Sequence, residues 1–527
     1  MKKQNLITKF FKMKSTPKKE ESSTQASSTQ KSKAEEEKEE FPEQKLDEEY
    51  KFDLDELKEN FRDGRRIFHN RLKFYTIYRP DMIKFVDLLD EYLNNPDLIK
   101  EEEKTTQAEN VVFTTFVSED SFIAKTLIKK KIECTMFKHG YQTATVPVEP
   151  GKSVLDFPEI NMRCILPDLK GKFSVFHPKV MLIKFPHFLR VVVTTCNFMG
   201  LEWECLGQLI WFQDFRYISD PIECRFKTDL MRFFQDIMPS ETTITVKKAP
   251  SVYKDVLIDK FAIDKMKDPP ESGKLFRQVI RGEINFEKYD FRDAAVDLIP
   301  SINGYYKIED GSADNQGMIR VKNIMKNSEE FKVTDNTQLI YQCTSFGKLY
   351  TKLVTEFVMS MFGDKIEYTS VTMKERVKFI YPEDQQVQDA HEGVPSNCLK
   401  LREDFWFDQK DFPRYLFHKF EYKESSKEYT RNVHHSKVMI IKEKDQEIDD
   451  NSAIYIGSHN MSGGAWGTMR NIGKTLFIGN YEMGIFFKPK AGTKALKQRI
   501  VNSLLYTIDP PSYDLATEKP YLFVKAF

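Results

Sequence analysis

The chain has 527 residues, with 80 Lys+Arg against 80 Asp+Glu and a formal net charge of +0. That length exceeds one ordinary hydrophobic core and fits two lobes. Neutrality excludes a generic cationic coat for nucleic acid, so such a partner must be met by a local basic groove.

Residues 1–45 stand apart in composition. Between Ser15 and Glu40 the chain is Ser, Thr, Gln, Lys and Glu with almost no apolar side chain, so it cannot offset its ordering entropy and is predicted to be disordered. Residues 54–98 read as helical with breaks. A strand follows at 111–116 (VVFTTF), then a helix over SEDSFIAKTLIKK. Strands are predicted at 180–185 and 190–195, and a helix at 227–237. The stretch from about 245 to 295 is polar and irregular, with Pro269-Pro270. A second block brings a strand at 337–343, a helix at 349–362, and strands at 438–443 and 453–457. Strands alternating with helices predict an α/β fold in two lobes: a tail at 1–45, a first lobe over 46–300 and a second over 301–527. The seven cysteines (Cys134, Cys164, Cys196, Cys205, Cys224, Cys343 and Cys398) are scattered and form no C-x-x-C pair. They read as buried thiols in a reducing compartment, with no metal site and no cofactor expected. No apolar run reaches membrane-span length and no signal-peptide core is present, so a soluble intracellular protein is expected.

An internal repeat is the strongest signal. His177-Pro-Lys179-Val-Met-Leu-Ile-Lys184 matches His435-Ser-Lys437-Val-Met-Ile-Ile-Lys442. Each copy is followed by a second strand and then by N-x-x-G-x-x-W, at Asn197…Gly200…Trp203 and at Asn460…Gly463…Trp466. Two linked motifs in the same order point to gene duplication. A single H-x-K at a strand start is ordinarily a solvated edge; the second copy shifts the weight to function. Residues i and i+2 of a strand share a face, so each unit presents an imidazole beside an ammonium, with an Asn amide nearby. Two units facing each other would hold one phosphate among two His, two Lys and two Asn. One His can attack phosphorus while the other protonates the leaving oxygen. No carboxylate cluster accompanies the motifs, so a two-metal mechanism is not indicated. The Gly and Trp pairs read as structural. His69, His139, His187, His391 and His418 read as ordinary, and His434 and His459 as supporting or surface residues.

These residues resemble the phospholipase D superfamily, whose signature is H-x-K followed by Asn, twice in one chain. The usual Asp five positions after the Lys is replaced by Lys184 and Lys442. That departure is similar to the tyrosyl-DNA phosphodiesterase branch. So are Gln208-Leu-Ile-Trp211, Ser458-His-Asn460-Met-Ser462, Tyr481-Glu482, Tyr381-Pro382 and Glu392-Gly393. The resemblance covers roughly residues 110–527 with lapses around 245–290. It implies two similar phospholipase D-like lobes with the active site between them. It implies hydrolysis of 3′-phosphotyrosyl and related 3′-end adducts on DNA, leaving a 3′-phosphate. His177 would be the nucleophile forming a phosphohistidine, and His435 the acid and then base. Lys179, Lys437, Asn197 and Asn460 would hold phosphate oxygens. Gln208 and Glu482 would orient the histidines, in a pairing left open. Thr344, Ser345 and Lys348 would bind the DNA backbone, with Ser in the family where this chain has Thr344 and Lys348. Ser458 and Ser462 would sit in or beside the pocket. A nuclear DNA-repair enzyme acting as a monomer is the expectation. A lipid-directed enzyme or a nuclease of the superfamily, and a non-catalytic DNA-binding scaffold, are the alternatives.

The segment Gln4-Asn-Leu-Ile7-Thr-Lys-Phe10-Phe11 fits Q-x-x-[ILM]-x-x-[FY]-[FY], which looks like the motif that docks on the sliding clamp PCNA. One helical turn would gather Ile7, Phe10 and Phe11 on one side for an apolar pocket, with Gln4 beside them.

Overall fold

The computed structural model describes residues 45–46, 67–89, 107–140, 154–171, 173–239, 244–246, 284–365, 370–391 and 398–523. The clamp-like segment, most of the tail and Glu392-Gly393 lie outside these residues.

Two mixed sheets dominate. The first carries ten strands, the second a path of seven strands with one more attached. Within each, seven strands run in the same spatial and chain order. In the first sheet the spatial order is Ile67–Asn70, Leu209–Arg216, Phe188–Thr194, Val180–Lys184, Asn110–Thr115, Glu133–Lys138, Met162–Ile165. In the second it is Asp297–Ser301, Asn480–Phe487, Ala453–Gly457, Val438–Glu443, Thr337–Gln342, Val377–Tyr381, Phe417–Lys419. In both, the first four pairings are antiparallel and the last two parallel. The duplication read from two short motifs therefore extends across seven strands of each sheet.

Alternation along the strands assigns the faces. Val180 and Leu182, with Ile440, Ile454 and Ile456, enter one core shared by both sheets. Met181 and Ile183 turn to a core of the first lobe under the helical segment at 120–128. Met439 and Ile441 turn to a core of the second lobe under the helices Gly317–Lys326 and Thr351–Met361. Strands covered on both faces are apolar nearly throughout, which is why VMLIK and VMIIK read as continuous runs. Each buried Leu, Ile or Val contributes roughly 1.5–3 kcal/mol by leaving water.

One sequence expectation fails in the described part of 54–98. Ile67–Asn70, Ile77–Tyr78 and Met82–Ile83 are strands, not helix. Ile67–Asn70 is buried throughout and pairs with Leu209–Arg216 on one side and Met82–Ile83 on the other, so pairing overrides a helical pattern. The other strand predictions hold, Val438–Glu443 and Ala453–Gly457 to the residue. The H-x-K pairs themselves sit just before their strands, which begin at Val180 and Val438.

Candidate active site

The strand register makes the duplication explicit. Val180 pairs with Val193 and Val193 with Trp211; Val438 pairs with Ile456 and Ile456 with Ile485. Carried along the chain, these pairs equate Thr195 with Ser458, Asn197 with Asn460, Trp203 with Trp466 and Gln208 with Glu482. The hydrogen bonds agree. Thr195 Oγ1 donates to Gln208 Oε1 at 2.6 Å and accepts from Leu209 N at 3.0 Å. Ser458 Oγ donates to Glu482 Oε2 at 2.5 Å and accepts from Met483 N at 3.0 Å.

Each lobe then orients the other lobe's histidine. His177 Nδ1 lies 2.8 Å from Glu482 Oε2, and His435 Nδ1 lies 3.3 Å from Gln208 Nε2. This resolves the pairing left open by the sequence. The exchange is enforced by backbone: His435 N donates to Gly207 O at 2.8 Å, and His177 N to Tyr481 O at 2.9 Å. Val175–Phe176 also pairs in parallel with Asn480–Tyr481, tying the first lobe's motif to the second sheet.

Lys179 and Lys437 are both fully buried, and each Nζ donates to the carbonyl of its own histidine, at 2.9 Å and 2.5 Å. Burial lowers Lys179 to about 8; burial, then the charge of Lys179, lowers Lys437 to about 7. Burial, then the two lysines, holds His177 well below its ordinary value. Burial, then Lys437, brings His435 down to about 4. His177 also feels His435, so both motifs meet at one centre.

Asn460 Oδ1 accepts from Ser345 N at 3.0 Å and from Thr344 Oγ1 at 3.3 Å, so its amide N–H groups remain to meet an anion. Asn197 Oδ1 accepts from Phe116 N at 3.2 Å, and its Nδ2 donates to Glu202 Oε1 at 2.5 Å.

Glu202 is the residue the sequence reading missed. It is buried, accepts from Asn197 N at 2.6 Å and Gln208 Nε2 at 3.0 Å, and lies 3.2 Å from His435 Nδ1. Burial works to raise its pKa, but His435, Lys179 and Asn197 together hold it ionised. Its equivalent in the second lobe is Ala465. A signal existed: the two N-x-x-G-x-x-W units differ by a carboxylate before the Trp. The Cys398 thiol joins the same place. Glu202, Cys398 and His435 have ligand atoms all within 4.8 Å of one another, the one such donor group among the described residues. The Lys179 and Lys437 charges act on Cys398 as well, an electrostatic setting suited to an anion more than a cation.

The remaining predicted residues divide. Ser345 is partly exposed and Lys348 exposed, on the turn where Gly347 N donates to Met461 O at 2.9 Å. A Cβ on Gly347 would come within 2.8 Å of Ser462 Cβ, so glycine lets this turn close on Ser462. Ser462 Oγ accepts from Ala465 N at 3.1 Å as the N-cap of Gly463–Trp466. Ser458, read as lying in or beside the pocket and as a DNA contact, is buried with its hydroxyl donating to Glu482, the partner of His177; Thr344 is buried on Asn460. His459 is buried, not at the surface, with Tyr455 Oη at 2.5 Å and Ser301 Oγ at 3.0 Å. His434 is also buried, packed among Phe420, Tyr422 and Tyr506. Lys184 lies at the far end of its strand, paired with Glu109 at 2.9 Å.

The two H-x-K…N units of a duplicated α/β fold thus meet at one buried centre whose lysines and amides suit an anion. The family model described as tyrosyl-DNA phosphodiesterase matches residues 82–251 and 276–518, and the chain belongs to that family. Tyrosyl-DNA phosphodiesterase 1 of Arabidopsis thaliana is 24% identical over 333 residues, covering 61% of this chain and 48% of the plant protein. The chain thus spans about half the length of that relative. The crystal structure of the yeast tyrosyl-DNA phosphodiesterase shares the fold with a TM-score of 0.59 at 14% identity, over 87% of this chain and 99% of the yeast chain.

Proposed function

We propose that the chain is a DNA-repair phosphodiesterase that hydrolyses 3′-phosphotyrosyl and related 3′-end adducts through a phosphohistidine. The observation that carries this is the crossed pairing of the two histidines, His177 with Glu482 and His435 with Gln208 and Glu202, beside two buried lysines.

The two environments suit two roles. His177 is held neutral, and Nδ1–H donation to Glu482 leaves Nε2 as a nucleophile. His435 donates Nδ1–H to Glu202, which stabilises its cationic form as phosphate oxygens screen Lys179 and Lys437. Nε2 of His177 attacks phosphorus, the P–O bond to the tyrosine breaks, and His435 Nε2–H supplies the proton the phenolate oxygen takes. Water then gives a proton to His435 as its oxygen attacks phosphorus, the P–N bond breaks, and a 3′-phosphate leaves. Lys179, Lys437, Asn460 and Asn197 hold the equatorial oxygens as charge builds. Ser345, Lys348 and Ser462 line the path of the DNA backbone. Work at DNA ends places the protein in the nucleus, acting as a monomer since one chain carries both units. The segment with Gln4, Ile7, Phe10 and Phe11 docks on the sliding clamp.

The test is cleavage of a single-stranded oligonucleotide bearing a 3′-phosphotyrosine in excess EDTA. Wild type should release tyrosine and leave a 3′-phosphate; His177→Ala should do neither yet still bind the oligonucleotide. Activity confined to phospholipid or unmodified DNA would replace the substrate class, and no activity on any phosphodiester would favour a scaffold. His435→Asn should accumulate covalent DNA–protein on denaturing gels; absence of adduct at every time point would remove its assigned role.

A further inference from the structure

Beyond the phosphate centre lies a small sheet that the catalytic reading leaves unused. Gly304–Lys307 pairs antiparallel with Thr475–Ile478, which pairs antiparallel with Thr468–Arg470. Alternation separates its faces. Leu476 is buried in the second lobe's core, with Tyr306 and Met469 packed against it. The opposite face carries Tyr305, Phe477 and Thr468 in one row, and Lys307, Thr475 and Arg470 in the next.

That face is prebuilt. The Tyr305 and Phe477 rings lie 4.7 Å apart at 38°. The Arg470 guanidinium sits 4.3 Å over the Phe477 ring and 5.9 Å from the Tyr305 ring. Tyr305 is nonetheless 66% exposed. No residue of the three strands is acidic, and Lys307 and Arg470 flank the rings; Glu309 and Asp310 begin only in the turn beyond Lys307. An exposed aromatic flanked by cations on a sheet face suits a stacked base and its phosphates.

The face is continuous with the phosphate turn. Gly347 closes on Ser462, which caps the helix starting at Gly463, and the Thr468 hydroxyl closes on Gly463. On its other side Asn303 Nδ2 donates to the carbonyls of Ile478 and Gly479, and Asn480 Nδ2 donates to Glu482 at 3.1 Å. We infer that this sheet is a stacking platform for a single nucleic-acid strand, extending the track that begins at Ser345 and Ser462. The inference rests on the proposed action on DNA ends and adds where the strand beyond the reacting end is held.

The experiment measures anisotropy of fluorescein-labelled single-stranded oligodeoxynucleotides of graded length, with turnover on the shortest phosphotyrosyl substrate as a second readout. Tyr305→Ala should weaken binding of the longer strands about tenfold. Arg470→Ala should also lower the slope of log affinity against log salt by about 1. Tyr305→Phe should retain affinity, and kcat on the shortest substrate should be unchanged in all three. Thermal unfolding at the wild-type temperature confirms the variants are folded. Wild-type binding that Tyr305→Ala and Arg470→Ala both keep would overturn the platform and leave the phosphodiesterase reading standing. A wild type that neither binds nor cleaves any of these strands would overturn both.

Discussion

At the residue scale, two buried lysines set the pH range. They must be charged to hold a phosphate, and Lys437 and Lys179 lose their protons near about 7 and about 8. A lowered lysine pKa means charge present below it and lost as pH rises, so kcat/KM should fall on the alkaline side in that range. On the acid side, the nucleophile His177 must stay neutral, and burial with the two lysines holds it well below its ordinary value, so its protonation sets that limb. The profile should therefore be a bell, its alkaline limb in the range of the two lysines and its acid limb well below the ordinary histidine value. Lys437→Arg, which cannot deprotonate in this range, should move the alkaline limb upward if it retains activity. A wild-type profile flat well past pH 8 would remove the assignment. Glu202 makes a second case. It joins Asn197, Gln208 and His435. Glu202→Ala should lower kcat by about 10²-fold with KM little changed, and Glu202→Asp should restore part of it. Because the carboxylate favours the histidinium, the pH profile should shift as well. A kcat and pH profile equal to wild type would leave Glu202 a packing residue.

At the element scale, the crossing of the lobes depends on a strand end. Gly207 precedes Leu209–Arg216, donates to Val433 O at 2.9 Å and accepts from His435 N at 2.8 Å. A Cβ there would come within 2.7 Å of the His434 ring, so no larger residue lets the backbones approach. Gly207→Ala should displace the 433–435 segment and cost roughly 1–3 kcal/mol in unfolding stability. The loss of turnover should exceed what that destabilisation explains, because His435 moves with the segment. Full activity with a lowered melting temperature would separate packing from alignment. This geometry also explains what the sequence revealed. The buried strands around H-x-K were legible because both faces are covered, and the repeat was legible because each copy keeps the same chemistry. Ile67–Asn70 was not, since its partner lies far along the chain and its own pattern says nothing of it. Glu202 was not, because the duplication drew attention to what the copies share, and this carboxylate marks where they differ. The crossed pairing of Glu482 with His177 and Gln208 with His435 is a property of two sheets meeting, which no local spacing encodes.

At the scale of the whole molecule, a chain of zero net charge that acts on DNA as proposed would gain little long-range attraction from its net charge. The phosphate centre and the sheet beside it act only after encounter. The proposed clamp-docking segment around Gln4, Ile7, Phe10 and Phe11 would supply another route, followed in the sequence by a polar stretch rich in Ser, Thr, Lys and Glu. Held on a clamp that encircles DNA, the lobes would sample nearby ends at the effective concentration set by that tether. Phe10→Ala with Phe11→Ala should abolish clamp binding in calorimetry, since the docking proposal puts both rings in one apolar pocket. Turnover on a short free oligonucleotide should be unchanged. On a primed template carrying the clamp, the same double variant should process the 3′ end more slowly than wild type. Clamp affinity equal to that of wild type would remove the docking role. Lost affinity with equal rates on the loaded template would keep the contact and deny it any part in delivery.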